Sequence, residues 1–270
     1  FFRVVDGQLA PGGIPIGRLA ERVGRTPFYV YDRAAIDARL SDLRAALPEA
    51  LHLHYAIKAN PMPAVVQHLA RLCDGLDVAS AGEMAVALDT GIAPDRVSFA
   101  GPGKSAAEIR QAVAAGITVT LESLHQLEHA AQAASALGVQ PRVALRVNPG
   151  FELKSSGMRM GGGPKPFGMD EALVPEALDR VRTAGLHLCG LHIFGGSQNL
   201  RADAIVEAQT RTYELGLSLL RRWGQPVDWL NIGGGFGVPY FPGEEELDLA
   251  PVADNLHRLC EAAAKDLGAP

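Results

Sequence analysis

From residue 52 onward, short apolar runs alternate with longer amphipathic stretches. The strand-like runs are His52–Ala59, Leu76–Ser80, Val97–Gly101, Thr118–Ser123, Arg142–Pro149, Leu188–Gly195 and Trp229–Gly235. Helix-like stretches lie near Pro63–Cys73, Gly82–Thr90, Ala106–Ala115, Leu124–Leu137, Glu171–Thr183, Ala202–Arg222 and Ala250–Leu267. Ser105 and Asp203 read as N-caps, and Gly91, Gly116, Gly138 and Gly185 as helix ends. Such alternation predicts βα units on a parallel sheet. Seven strands are one short of a (β/α)8 barrel, whose eighth would fall just past Pro270. A doubly wound open sheet alternates in the same way and competes with it.

Residues 1–50 break this rhythm and are expected to form an N-terminal strand, FYVYD at Phe28–Asp32, and a helix over Arg33–Ala46, leading into a barrel over residues 51–270. Glu152–Gly168 reads as a long loop of the kind that serves function.

Composition narrows the class. A chain of 270 residues, 47% hydrophobic with a net charge of -5, can bury a large core and is no basic nucleic-acid binder. No run reaches the roughly 20 apolar residues of a membrane helix, so a cytoplasmic setting is expected. Cys73, Cys189 and Cys260 are far apart in apolar surroundings and read as reduced core thiols, with no metal site expected.

Barrel active sites gather at the C-terminal ends of the strands. There the sequence offers Lys58; Asp77 with Ser80 and Glu83; Gly101 with Lys104; Glu122 with Ser123 and His125; Arg146 with Asn148; His192 with Ser197 and Gln198; and the run Gly233, Gly234, Gly235, Phe236, Gly237. Singly, each has a plain reading: a strand-end lysine in water, a satisfied core histidine, a flexible glycine turn. Their recurrence at one end of successive strands outweighs those readings. The glycine run suits a phosphate, because backbone N–H groups can approach an anion without a Cβ in the way. It is not a dinucleotide fingerprint, since Val238-Pro239 follows where a helix would open. A lysine, an arginine, a histidine and a phosphate cradle together point to a phosphorylated carbonyl cofactor, with which a lysine can form a Schiff base.

YAIKAN, DVASAGE, FAGPGK, LRVNP, HIFGGSQN and NIGGGFG occur here in the order they take in the fold-type III pyridoxal-phosphate decarboxylases, the diaminopimelate and ornithine decarboxylase family. The chain resembles that family over nearly its whole length. GRTPFYVYD and the GMRMGGGPKPFG loop resemble the branch associated with the exosortase A system. The resemblance implies an alanine racemase-like (β/α)8 barrel binding pyridoxal 5'-phosphate. It makes Lys58 the Schiff-base lysine and His192 the residue stacked on the cofactor ring. Ser197 and Gly233 to Gly237 would hold the phosphate, Asp77 and Arg146 would support the lysine and ring, and Glu83, Asn148, Lys165 and Gln198 would orient. Two extra residues separate His192 from Gly-Ser-Gln relative to the family's HIGSQ.

The family's acidic residue-Pro/Gly-Gly-Arg segment, expected on the eighth strand, and its C-terminal β-domain do not occur before Pro270. The resemblance implies decarboxylation of an amino acid or a carrier-bound amino-acyl conjugate, with a homodimer in the full-length protein. An amino-acid racemase is the first alternative, and a non-catalytic pyridoxal-phosphate barrel the second.

Overall fold

Seven parallel strands pair side by side in chain order, which is the ordering of a barrel; a doubly wound sheet would reverse direction part-way. The structure, a computed structural model, describes residues 2–151, 158–159 and 165–267. It divides into two units, Phe1–Glu49 and Ala50–Pro270.

In the first unit β1 (Arg3–Val5) and β2 (Gln8–Ala10) form an antiparallel hairpin. Its turn is Asp6-Gly7, both at positive φ (49° and 75°), the pairing that matches the twist of the flanking strands. Helices α1 (Ile16–Val23) and α2 (Arg33–Ala46) follow. Asp32 caps α2, accepting from Ala34 N at 2.9 Å, and also accepts from Gly12 N at 2.8 Å. The strand expected at Phe28–Asp32 does not form. Its residues have strand-like character, but β1 and β2 pair with each other and no third ladder partner is found among the described residues of this unit.

The second unit runs β3 (His54–Ala56), α3 (Pro63–Leu69), β4 (Gly75–Val78), α4 (Ala81–Leu88), β5 (Val97–Phe99), α5 (Ala106–Ala115), β6 (Thr118–Leu121), α6 (Leu124–Leu137) and β7 (Arg142–Asn148). It continues through β8 (Met158–Arg159), β9 (Met169–Asp170), α7 (Val174–Thr183), β10 (His187–Ile193), β11 (Gly196–Ser197), α8 (Ala202–Trp223), β12 (Trp229–Asn231) and α9 (Ala250–Leu267). The sheet order is β3-β4-β5-β6-β7-β10-β12, with β9 added beside β7. Among the described residues, β3 and β12 are its two edges.

Strand periodicity sorts the side chains between the two faces. Leu76 and Val78, Val97 and Phe99, Val119 and Leu121, Val143, Leu145 and Val147, and Leu191 and Ile193 all face the helices. They meet Ile109, Ala112, Val113, Leu178 and Val181 in one buried core. The alternate positions point to the concave face, where polar residues collect. Ser105 closes a capping box with Glu108, and α5 and α6 end on left-handed Gly116 and Gly138 (φ 75° and 65°). Asp203 is not a cap. Arg201 holds that position, its N–H donating to Asn199 Oδ1 at 2.9 Å, and Asp203 pairs with the Arg201 guanidinium.

Of the long loop, residues 152–157 and 160–164 lie outside the described residues. Its middle strand β8 pairs antiparallel with β11, setting Ser197 opposite Met158.

Candidate active site

Polar side chains line the concave face in two rows, the second four residues further along β7 than the first, because Val119 pairs with Val143. Register aligns Ala56 with Asp77, Asp77 with Ser98, Ser98 with Thr118, Arg146 with His192, and His192 with Asn231. Partners in register point to the same side of a sheet, so these groups share one surface.

In the first row, Asp77 Oδ1 accepts from Ser98 Oγ at 2.7 Å and lies 3.0 Å from His54 Nδ1. Burial raises the Asp77 carboxyl, but the hydrogen bond and charge of His54, the Ser98 hydroxyl and His192 together bring it below the usual carboxylate value. His54 reaches Asp77 because its ring lies over Gly75, where a Cβ would stand 2.5 Å from it. Lys58 follows at the same edge in a single 3-10 turn, Ile57–Ala59. Ile57 is fully buried while Lys58 is exposed, so the turn anchors an accessible amine at the rim.

At the centre sits Glu122, its side chain 1% exposed. Oε1 accepts from Gly101 N–H and from Arg146 Nη1 at 3.2 Å, and Oε2 accepts from Gly168 N at 2.9 Å. One carboxylate thereby fixes the loop after β5, the guanidinium on β7 and the end of the long loop. Lys104 is also buried, its ammonium donating to Thr120 O at 2.8 Å and to Gly101 O. Burial lowers its pKa to about 8; Glu122 opposes that shift and Arg146 adds to it. The Arg146 guanidinium stacks 4.9 Å from the Phe167 ring centroid.

His192, on the strand beside Arg146, is half-buried. Burial first and then Arg146 lower its pKa to about 4, against the pull of Asp77 and Glu122. The imidazole is therefore neutral at pH 7.

Beyond β12 the glycine run forms a loop held from both sides. Gly233 N donates to Asn231 Oδ1 at 2.8 Å and Gly237 N to Asn199 O at 2.8 Å. Those two N–H groups are committed to the protein, so an anion-binding reading narrows to Gly234, Gly235 and Phe236. Gly235 has φ 84°, and a Cβ there would stand 2.2 Å from Gly196 O. Only glycine lets the loop pass this close to the segment carrying Ser197. Gln198, itself at φ 56°, clamps the loop's exit, donating to Val238 O and accepting from Val238 N at 3.2 Å.

Other sequence candidates serve elsewhere. Ser80 caps α4, accepting from Glu83 N at 3.2 Å, the Glu83 carboxylate accepts from Ala79 N at 2.7 Å, and Ser123 caps α6. His125 stands exposed on α6 with its ring centroid 4.1 Å from that of His129, away from the concave face. Asn148 ends β7 on the concave face, and Lys165 is half-buried. His54, Ser98 and Gln126 escaped the sequence reading. For His54 a signal existed: it stands two and four residues before Ala56 and Lys58, the spacing of one strand face. Gln126 donates to Gly101 O and Pro102 O, a role that no motif marks.

Residues 33–269 match the family of pyridoxal-dependent decarboxylases over its pyridoxal binding domain. The chain belongs to that family. Among the decarboxylases of the family, it is 38% identical over 233 residues to the L-glutamyl-[BtrI acyl-carrier protein] decarboxylase of Niallia circulans, covering 84% of this chain and 54% of that protein. It is 36% identical to the diaminopimelate decarboxylase of Aquifex aeolicus, over 95% of this chain and 61% of the relative. The crystal structure of the Helicobacter pylori diaminopimelate decarboxylase complexed with L-lysine superposes with a TM-score of 0.79 at 32% identity, over 91% of this chain and 63% of that one. The chain thus spans less than two thirds of these relatives. The family's cofactor is pyridoxal phosphate, and its barrel is the fold seen here.

Proposed function

We propose that this chain is the barrel of a pyridoxal-phosphate-dependent decarboxylase acting on an amino acid or a carrier-bound amino-acyl conjugate. The observation that carries the reading is the concave face itself. An accessible lysine, a carboxylate, a buried arginine and a neutral histidine share one face, and a glycine loop leaves the strand next to the histidine. The relatives' names, a diaminopimelate decarboxylase and a glutamyl-carrier decarboxylase, support both the reaction and the two substrate classes.

The donor set fits the cofactor. Gly235 needs a backbone that a side chain would block, and the Gly234 to Phe236 stretch suits a phosphate beside Ser197. Pyridoxal phosphate, when bound, supplies an aldehyde that condenses with amines and a ring that takes up the electron pair left when carbon dioxide departs. In this assignment Lys58 is the amine that anchors the cofactor. His192 offers the ring a neutral face, kept uncharged by burial and Arg146. Asp77, below its usual value, remains an anion beside Lys58's strand, and Glu122 holds Arg146 in place. Asn148, Lys165 and Gln198 are orienting residues at most, and the Glu83 carboxylate is taken up by the helix start.

No described helix is long and apolar enough to cross a membrane. We further assign the protein to the exosortase-associated branch on its GRTPFYVYD and GMRMGGGPKPFG segments, to the cytoplasm on cysteines that read as reduced core thiols, and to a homodimer on its family.

Borohydride reduction with pyridoxal phosphate, followed by peptide mapping, tests the assignment. A single adduct on Lys58, lost in Lys58→Ala, is expected; labelling spread over other lysines would overturn it.

A further inference from the structure

At the opposite end of the barrel, where the strands begin, three side chains from separate elements converge. His187 opens β10, Cys189 follows two residues later, and Asp228 immediately precedes β12. Their ligand-type atoms all lie within 4.8 Å of one another. The thiol is buried, whereas the His187 and Asp228 side chains are 43% and 45% exposed, which leaves a path from solvent.

The backbone fixes this convergence. Asp228 N donates to Cys189 O at 2.8 Å, and the sheet register shifts between Leu188 and Gly190, which brings Cys189 within 4.0 Å of Thr118 Oγ1. Asp228 Oδ2 lies 3.7 Å from His187 Nε2 and accepts from Arg142 Nη2 at 2.8 Å.

We propose that His187, Cys189 and Asp228 bind a divalent cation of the zinc class. One imidazole nitrogen, one sulfur and one carboxylate oxygen are the donors such an ion takes, with metal–donor bonds of roughly 2.0 to 2.3 Å in a tetrahedron. Donor atoms in such a site stand about 3.3 to 3.8 Å apart, so the cluster must tighten by about 1 Å, within reach of two half-exposed side chains. Water from the open side fills the fourth position. Binding forms the metal–sulfur bond as the thiol proton leaves to solvent; nothing is oxidised or reduced. Arg142 orients the Asp228 carboxylate as a ligand's hydrogen-bond partner does; thiolate and carboxylate together neutralise the dication, and the guanidinium, on the exposed side, keeps its charge toward water.

The ion would join the start of β12 to β10, its ligands about 10 to 16 Å along β10 from His192 at roughly 3.3 Å per residue. The site is therefore independent of the pyridoxal-phosphate assignment.

Titrating the chain with Co2+, under a non-thiol reductant, tests the proposal. One equivalent is expected to bind with a thiolate-to-cobalt charge-transfer band, to be displaced by Zn2+, and to bind at least tenfold more weakly in Asp228→Asn. Zn2+ should raise the Tm of the parent and not of Asp228→Asn, a surface change that spares the core even if Cys189→Ser fails to fold. Cobalt binding without the thiolate band, binding unchanged in Asp228→Asn, or no binding at all would each overturn the site.

Discussion

His54 Nδ1 and Asp77 Oδ1 lie 3.0 Å apart across adjacent strands, so the lysine-bearing edge strand is tied to its neighbour by a side-chain contact as well as by its ladder. Asp77 has a folded pKa below its unfolded value, so it stabilises the protein above the unfolded pKa. That contribution is lost as pH falls through the folded value. Asp77→Asn should therefore lower Tm near pH 7 and flatten its decline between about pH 5 and pH 2. Melting curves across that range check it; an unchanged acid slope would refute the coupling.

Glu122→Ala should be among the most damaging single changes. It leaves the Arg146 guanidinium and the amides of Gly101 and Gly168 without their shared acceptor. Breaking a buried pair in this way costs about 3–5 kcal/mol. Urea denaturation of Glu122→Ala should show that loss, whereas Phe167→Leu, which removes only the stacking partner of Arg146, should cost less than about 2 kcal/mol.

Lys104 gives a pH signature of the same sign in a more alkaline window. Its folded pKa is about 8, below the 10.5 usual for a lysine, so between those values the unfolded chain binds more protons than the native one. Its contribution to stability therefore rises as pH climbs through that window. Lys104→Met should lack the rise, and the stability difference between it and the parent, measured by denaturant titration from pH 7 to pH 10, should shift in the parent's favour.

Gly235→Ala places a methyl where Gly196 O already stands and asks a side chain to adopt φ 84°. It should weaken pyridoxal phosphate binding at least tenfold, read by cofactor absorbance, with circular dichroism unchanged. Equal affinity would show that the loop is a turn and not an anion cradle.

Much of this fold was legible because each strand carries its apolar residues on the outward positions and each helix an apolar stripe. The bounds of α5, α6 and α9 fell where those patterns stop. The strand at Phe28–Asp32 failed because propensity cannot supply a ladder partner, and Asp203 failed as a cap because α8 opens before it, at Ala202, so that its carboxylate pairs with Arg201 and accepts from Ala204 N from within the first turn. The β1–β2 hairpin went unread although Asp6-Gly7 marks its turn. In the candidate site, Lys58, Asp77, Arg146 and His192 could be singled out because a polar side chain at a strand end breaks an otherwise apolar run. The reach of Glu122 could not be seen. Two of its donors are backbone amides, 21 and 46 residues away in the chain, and amides leave no trace in a pattern of side chains. The same holds for His187, Cys189 and Asp228, which meet only once β10 and β12 pair.

Among the described residues the sheet's edges are β3 and β12, and Lys58 follows one while the glycine loop follows the other. A ligand gripped at both would act as a rung between these two strands. Part of its binding free energy would then be spent on holding the edges in order, and an apparent dissociation constant would report that ordering together with the contacts. Substitutions that loosen β3 or β12, far from any ligand atom, would be expected to surface as lost affinity before they surface as lost structure.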